Sequence, residues 1–184
     1  MDVHTLSDEH LMRQVGEGQL DKLGLLFERY HVRLYNFYMR TTADTELSQD
    51  LVQTVFERIL KYRQSYKPDS PFKAWFYRIA RNARADYFKK KKLPTDSLEQ
   101  VYADRNRKIA EEGGHELEKQ EKIRVLYEAL DQLPDEKREI LVLSQLEEME
   151  YKEIAQIFEI TENSARVRVH RALKALKEVF HKKY

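Results

Sequence analysis

The chain has 184 residues, of which 41% are hydrophobic and 35% charged, with only five glycines and no cysteine. That length fits one domain or two small ones, and the composition favours helices; the missing cysteines exclude a disulfide framework and a thiolate metal site and fit a reducing compartment. No apolar run is long enough to span a bilayer and the stretch Met1 to Gln14 is too polar for a signal peptide, so the expectation is a cytoplasmic protein without membrane insertion.

The formal net charge of +1 names no partner, but its distribution does. From Arg58 to Lys92 there are twelve basic residues against two acidic, a local net of +10. From Glu128 to Glu153 there are three against nine, net −6, and from Glu162 to Tyr184 seven against two, net +5. Two basic patches separated by acidic sequence point to two polyanion-binding surfaces.

Taken in order, Ser7 reads as the N-cap of a short first helix, with Asp8 and Glu9 at the positive end of its dipole. Leu6 and Leu11 have the spacing of a hydrophobic staple, and Gly16 and Gly18 mark the end of the helix. A second helix, roughly Leu20 to Arg40, carries Leu23, Leu26, Phe27, Tyr30, Leu34, Phe37 and Tyr38 on or near one side. Asp44 caps a third helix running to about Gln64, with a stripe of Leu47, Leu51, Val52, Val55, Phe56, Ile59 and Leu60. Asp50, Gln53, Thr54 and Glu57 lie outside that stripe, an edge that the pattern alone reads as plain solvation. The segment from Ser65 to Pro71 is a loop.

Ser70 and Pro71 then start a helix that runs to Lys92. Phe72, Trp75, Phe76, Ile79, Ala80, Ala83 and Tyr87 form its apolar stripe, while Tyr77, Arg81, Arg84 and Phe88 form a second row expected on the wet side. For this helix alone two readings stay open. One is a solvated face of snorkelling arginines; the other is a nucleic-acid surface, where arginines meet phosphates and aromatic rings meet unstacked bases.

Residues 93–117 contain Pro94, Gly113 and Gly114 and no helical period, and read as a flexible linker. The expected organisation is therefore all-α, with two small helical domains, 1–92 and 118–184, either side of it. In the second domain Ile123, Leu126, Tyr127, Leu130 and Leu133 share one face, Pro134 breaks the helix, and Asp135 to about Leu146 forms the next. Tyr151 to Phe158 buries Ile154, Ala155 and Phe158. Thr161 caps a last helix, Glu162 to about Phe180, with a stripe of Ala165, Val169, Ala172, Leu173 and Leu176. A short helix, a tight turn and a basic second helix are the parts of a helix-turn-helix. Asn163, Ser164, Arg166 and His170 suit base edges, and Arg168, Arg171, Lys174 and Lys177 suit phosphates. No catalytic constellation stands out: the six histidines have no ligand spacing, and there is no glycine-rich phosphate loop and no nucleophile elbow. No enzyme activity, metal or cofactor is expected.

Four stretches in this order resemble the extracytoplasmic function (ECF) group of the bacterial sigma-70 family. LSQDLVQTVFERIL (Leu47–Leu60) is similar to its core-polymerase-binding helix. SPFKAWFYRIARNARADYFKKKK (Ser70–Lys92) is similar to its promoter-melting and -10 segment. LDQLPDEKREILVL (Leu130–Leu143) resembles the opening of its C-terminal domain, and YKEIAQIFEITENSARVRVHRALKALKE (Tyr151–Glu178) its -35 helix-turn-helix. The resemblance implies a transcription-initiation subunit whose partners are core RNA polymerase (its beta and beta-prime subunits), promoter DNA and an anti-sigma factor. It implies that Asp50, Gln53 and Glu57 face the polymerase. Tyr66, Trp75, Tyr77, Arg78, Arg81, Asn82, Arg84, Phe88 and Lys89 would serve the -10 element, with the loop from Tyr66 to Pro71 holding a flipped base. Asn163, Ser164, Arg166, Val167, His170, Arg171 and Lys174 would serve the -35 element.

Two positions depart from the family pattern. Glu159 stands where the helix-turn-helix turn usually has glycine, at a cost of roughly a kcal/mol if it is left-handed. Glu150 stands where a small cap is usual. The competing readings are a dimeric helix-turn-helix activator or repressor, which leaves the aromatic–basic row unexplained, and a nucleic-acid-processing enzyme, which lacks its catalytic residues.

Overall fold

A computed structural model describes residues 6–91 and 117–183, and every regular element among them is helical. Helix α1 (Asp8–Gly16) begins as its sequence dictates, with the Ser7 side chain accepting the His10 amide at 3.2 Å. Gly18, at φ +102, turns the chain after it. Its acidic first turn does more than complement the dipole. Asp8 accepts from Arg29 Nη1 at 2.6 Å and from the Tyr30 hydroxyl at 2.5 Å, both on α2 (Lys22–Thr42).

Leu26, Tyr30, Leu34, Phe37 and Tyr38 of α2 are buried, whereas Phe27, expected among them, is exposed and stacks on His31 with centroids 4.8 Å apart. Ala43, left-handed at φ 55, reverses the chain, and Asp44 caps α3 (Thr45–Tyr62) through the Leu47 amide at 2.9 Å. The predicted stripe of α3 is buried except for Leu60, which is exposed. A 3-10 turn (Arg63–Ser65) and a loop lead to α4 (Phe72–Lys91). The expected Ser70 cap is replaced by a remote one: the Phe72 amide donates to Glu9 Oε1 of α1 at 3.0 Å. A carboxylate at this N-terminus meets both a free donor and the positive end of the dipole. The Tyr38 hydroxyl, fully buried, donates to the Ala80 carbonyl at 2.9 Å and ties α2 to the middle of α4.

The linker expected over 93–117 lies outside the described residues apart from Leu117, which opens α5 (Leu117–Asp131). The buried face of α5 is rotated from the expected one. Val125, Ala129 and Leu130 are covered, while Ile123 and Leu126 remain 40% and 39% exposed. This helix packs against the last helix of the chain, and Ala129 is fully buried. After Leu133 come α6 (Asp135–Leu141) and a π-helical turn (Val142–Leu146). Arg138 of α6 is buried and donates to the carbonyls of Leu130, Asp131 and Leu133 at 3.0, 2.7 and 3.0 Å, so it serves the end of α5 with its charge and its fork.

Helices α7 (Tyr151–Phe158) and α8 (Glu162–Lys183) form the helix-turn-helix. Glu150 stands at the start of α7 without being small: its amide donates to Glu153 Oε2 at 2.9 Å. Glu159 takes the left-handed conformation, φ 54 and ψ 45, so the turn keeps a glycine-type geometry with a glutamate in it. Thr161 caps α8 through the Ser164 amide at 3.2 Å, and Ala165, Val169 and Ala172 are buried, while Leu173 is exposed.

Two stability outcomes follow from these backbone facts. Glu159→Gly should raise the unfolding free energy by about 1 kcal/mol, since glycine carries no left-handed penalty. Glu9→Ala should lower it by about 1–2 kcal/mol through loss of the α4 cap. Urea unfolding of each variant against the parent checks both.

Candidate nucleic-acid interface

Helix α4 has two buried sides. One is the predicted stripe, where Phe72 and Phe76 lie 5.5 Å apart and Tyr30 packs 4.8 Å from Phe76. The second is the row expected on the wet face, and the structure corrects that expectation. Tyr77 is 0% exposed and Arg84 6% exposed, while Arg81 and Phe88 are half-buried. The cover is shared by α2, whose Phe37 ring lies 5.4 Å from that of Tyr77 and whose Thr41 carbonyl faces Arg84, and by the acidic stretch of the C-terminal helices. The spacing of the two rows explains the match: Tyr77, Arg81 and Arg84 advance along α4 by four and three residues, and Asp135 and Glu139 by four along α6. The rows run antiparallel.

At one end Arg84 grips both carboxylate oxygens of Asp135, one at 2.9 Å, and donates to the Thr41 carbonyl at 2.9 Å. In the middle Arg81 Nε donates to Glu139 Oε2 at 3.1 Å, and its guanidinium lies 4.5 Å over the Phe158 ring of α7. At the far end the Tyr77 hydroxyl donates to Glu147 Oε2 at 2.5 Å. Arg33 of α2 lies 3.6 Å from the same oxygen, and Lys73 Nζ donates to the Glu147 carbonyl at 3.3 Å. The π turn sets Glu147 there, closed by its amide on the Val142 carbonyl at 3.0 Å.

The electrostatics follow burial. Desolvation pushes the Glu139 carboxyl up, opposed by Arg81 and Arg84, and its Oε1 has no hydrogen-bond partner. Desolvation likewise raises the Tyr77 hydroxyl far above the usual phenol range, with Glu147 adding to it.

The other -10 candidates divide between core and surface. Tyr66 and Trp75 are buried edge-to-face, 5.2 Å apart, and the Tyr66 hydroxyl, pushed up to about 12 by burial first, donates to the Ser70 carbonyl at 2.7 Å. This bond closes the loop that precedes α4. Arg78, Asn82 and Lys89 are exposed on the outer side of α4. The structure thus separates Arg78, Asn82 and Lys89 from Tyr77, Arg81 and Arg84, which the sequence grouped together.

On α8, Asn163, Arg166, Val167, His170, Arg171 and Lys174 are all exposed and Ser164 is half-buried beside Thr161. Arg166 leans on Glu162 at 3.3 Å and lies 5.5 Å over the Tyr151 ring, and Arg168 pairs with Glu136 of α6. On α3, Asp50, Gln53 and Glu57 are exposed along one edge. Sequence reasoning missed Arg33, Asp135, Glu139 and Glu147 as members of the α4 site. The available signal was the facing charge blocks, net +10 and −6.

Residues 26–93 match the family Sigma-70 region 2, and residues 123–176 match Sigma-70, region 4. The chain is similar to the ECF RNA polymerase sigma factor SigM of Bacillus subtilis (strain 168), 31% identical over 157 residues, covering 85% of this chain and 94% of that one. It is 26% identical over 182 residues to the ECF RNA polymerase sigma-E factor of Escherichia coli (strain K12), covering 93% of each. Among solved structures, CnrH in complex with the cytosolic domain of CnrY has a similar fold, with a TM-score of 0.72, 21% identity and coverage of 96% of this chain and 99% of that one.

The buried phenols set an alkaline limit. Tyr30, Tyr38, Tyr66 and Tyr77 are all raised above their unfolded value of 10.0, so the folded state holds protons that the unfolded chain has released. Their contribution is full below pH 10 and is lost as pH climbs through the folded values, for Tyr66 between 10 and about 12. Urea unfolding across that range should show stability falling with pH, and Tyr66→Phe and Tyr77→Phe should each flatten the slope.

Proposed function

The chain belongs to the extracytoplasmic function group of sigma-70 RNA polymerase sigma factors, the subunits that direct core RNA polymerase to promoters, and from that premise we propose how its surfaces divide the work. The N-terminal domain, 1–92, joins the polymerase and serves the -10 element. The linker, 93–117, spans the distance, and the C-terminal domain, 118–184, reads the -35 element.

The observation that carries this reading is α8. Asn163, Arg166, Val167, His170, Arg171 and Lys174 stand exposed on a helix whose other side is packed, which is the arrangement a major groove accepts. The edge of Asp50, Gln53 and Glu57 on α3 meets the beta-prime side of the polymerase. Tyr77, Arg78, Arg81, Asn82, Arg84, Phe88 and Lys89 follow the opening DNA, with Tyr66 and Trp75 shaping the loop that takes an unpaired base. Two modest DNA modules on one chain gain affinity from linkage, and the spacing of two promoter elements becomes part of the specificity. The chain itself performs no catalysis and works in the cytoplasm. Among the described residues no helix is long and apolar enough to cross a membrane. Control by an anti-sigma factor is part of the proposal; the relative CnrH is described in complex with the cytosolic domain of CnrY.

Run-off transcription and core pull-down together separate the surfaces. Arg81→Ala with Arg84→Ala should keep core association and lose promoter opening by more than about tenfold. Asp50→Ala should weaken core association while leaving duplex binding by α8 unchanged. His170→Ala with Arg171→Ala should weaken -35 duplex binding about tenfold. A purified chain that neither associates with core enzyme nor supports promoter-specific initiation would overturn the reading.

A further inference from the structure

We propose that Asp135, Glu139 and Glu147 form an internal stand-in for nucleic-acid phosphates, which closes the α4 row while leaving α8 and the α3 edge open. The free protein would then engage duplex DNA and polymerase before it can hold an unpaired strand. The inference rests on the reading of Tyr77, Arg81 and Arg84 as the -10 row.

Four observations carry it. The carboxylates meet that row in antiparallel register, one to each side chain. The Arg84–Asp135 pair is two-pronged, the same contact that a guanidinium makes with a phosphate. The masking is one-sided, since Tyr77 and Arg84 are buried while Asn163, Arg166, His170, Arg171 and Lys174, and likewise Asp50, Gln53 and Glu57, are exposed in the same molecule.

The fourth observation is that the closure is built to yield. Glu139 is buried with Oε1 unpartnered, which a fully satisfied ion pair would not leave. The Arg81 and Asp135 side chains keep 36% and 40% exposure, so salt and a competing polyanion can reach them. The chemistry of the competitor is that of the mimic: a flexible single strand, whose phosphates can follow the row and whose bases can stack beside Phe88.

The test uses the full chain. It has no cysteine, so Gln64→Cys and Gln156→Cys, both exposed, accept a pair of dyes for energy transfer. Asp135→Asn, Glu139→Gln and Glu147→Gln together change shape little. They should increase the dye separation, tighten binding of a single-stranded -10 oligonucleotide about tenfold, and change -35 duplex binding less than about twofold. Asp135→Arg alone should open the molecule and Arg84→Asp added to it should close it again, an outcome that damaged folding cannot produce. An unchanged dye separation in the triple variant overturns the proposal. So does opening without a gain in strand binding: equal tight binding by parent and variant defeats the masking, and no binding by either defeats the -10 reading itself.

Discussion

A charge taken out of water must be paired, and most of this molecule's architecture answers to that demand on α4. Arg84 is buried against Asp135 and the Thr41 carbonyl, Arg81 lies between Glu139 and the Phe158 ring, and the Tyr77 hydroxyl donates a hydrogen bond to Glu147. Removing one partner of such a pair leaves a desolvated group without its match, so the contact between the two groups of helices is specific in register. An apolar seam of the same area would tolerate sliding. A row of three polar contacts at fixed spacing does not.

The row can be matched only because α4 is itself held rigidly. Its start is fixed by Glu9 from α1 and its middle by the Tyr38 hydroxyl from α2, while the Tyr66–Ser70 bond closes the loop before it. Three separate parts of the N-terminal bundle therefore position one helix. This is what a surface that must follow a nucleic-acid backbone requires: side chains whose relative places are set before the ligand arrives. Local capping, tertiary packing and the geometry of the site are here the same set of bonds seen at different distances.

Helix starts were legible in the sequence because their chemistry is local: Ser7, Asp44 and Thr161 each cap the amide three residues on. The helix-turn-helix was legible for the same reason, down to the strained position of Glu159. What could not be read was long-range. The Glu9 cap on Phe72 crosses 63 residues and Tyr77–Glu147 crosses 70, and no periodicity encodes a partner at that range. The row on α4 was recognisable as unusual, yet nothing in its own spacing says what covers it. On α5 the larger apolar residues Ile123 and Leu126 drew the expected face, whereas Val125, Ala129 and Leu130 are the residues that are covered.

The wide turn at Val142–Leu146 has a consequence for how such a chain can change. Each residue of an α-helix turns the following side chain by about 100°, so the extra residue in this turn acts as a phase shift that brings Glu147 round to Tyr77. Shortening the turn by one residue would point Glu147 elsewhere without altering a single charge on either row. The strength of closure is thus adjustable by backbone length alone. The arginines are left free to keep whatever chemistry their other partner demands.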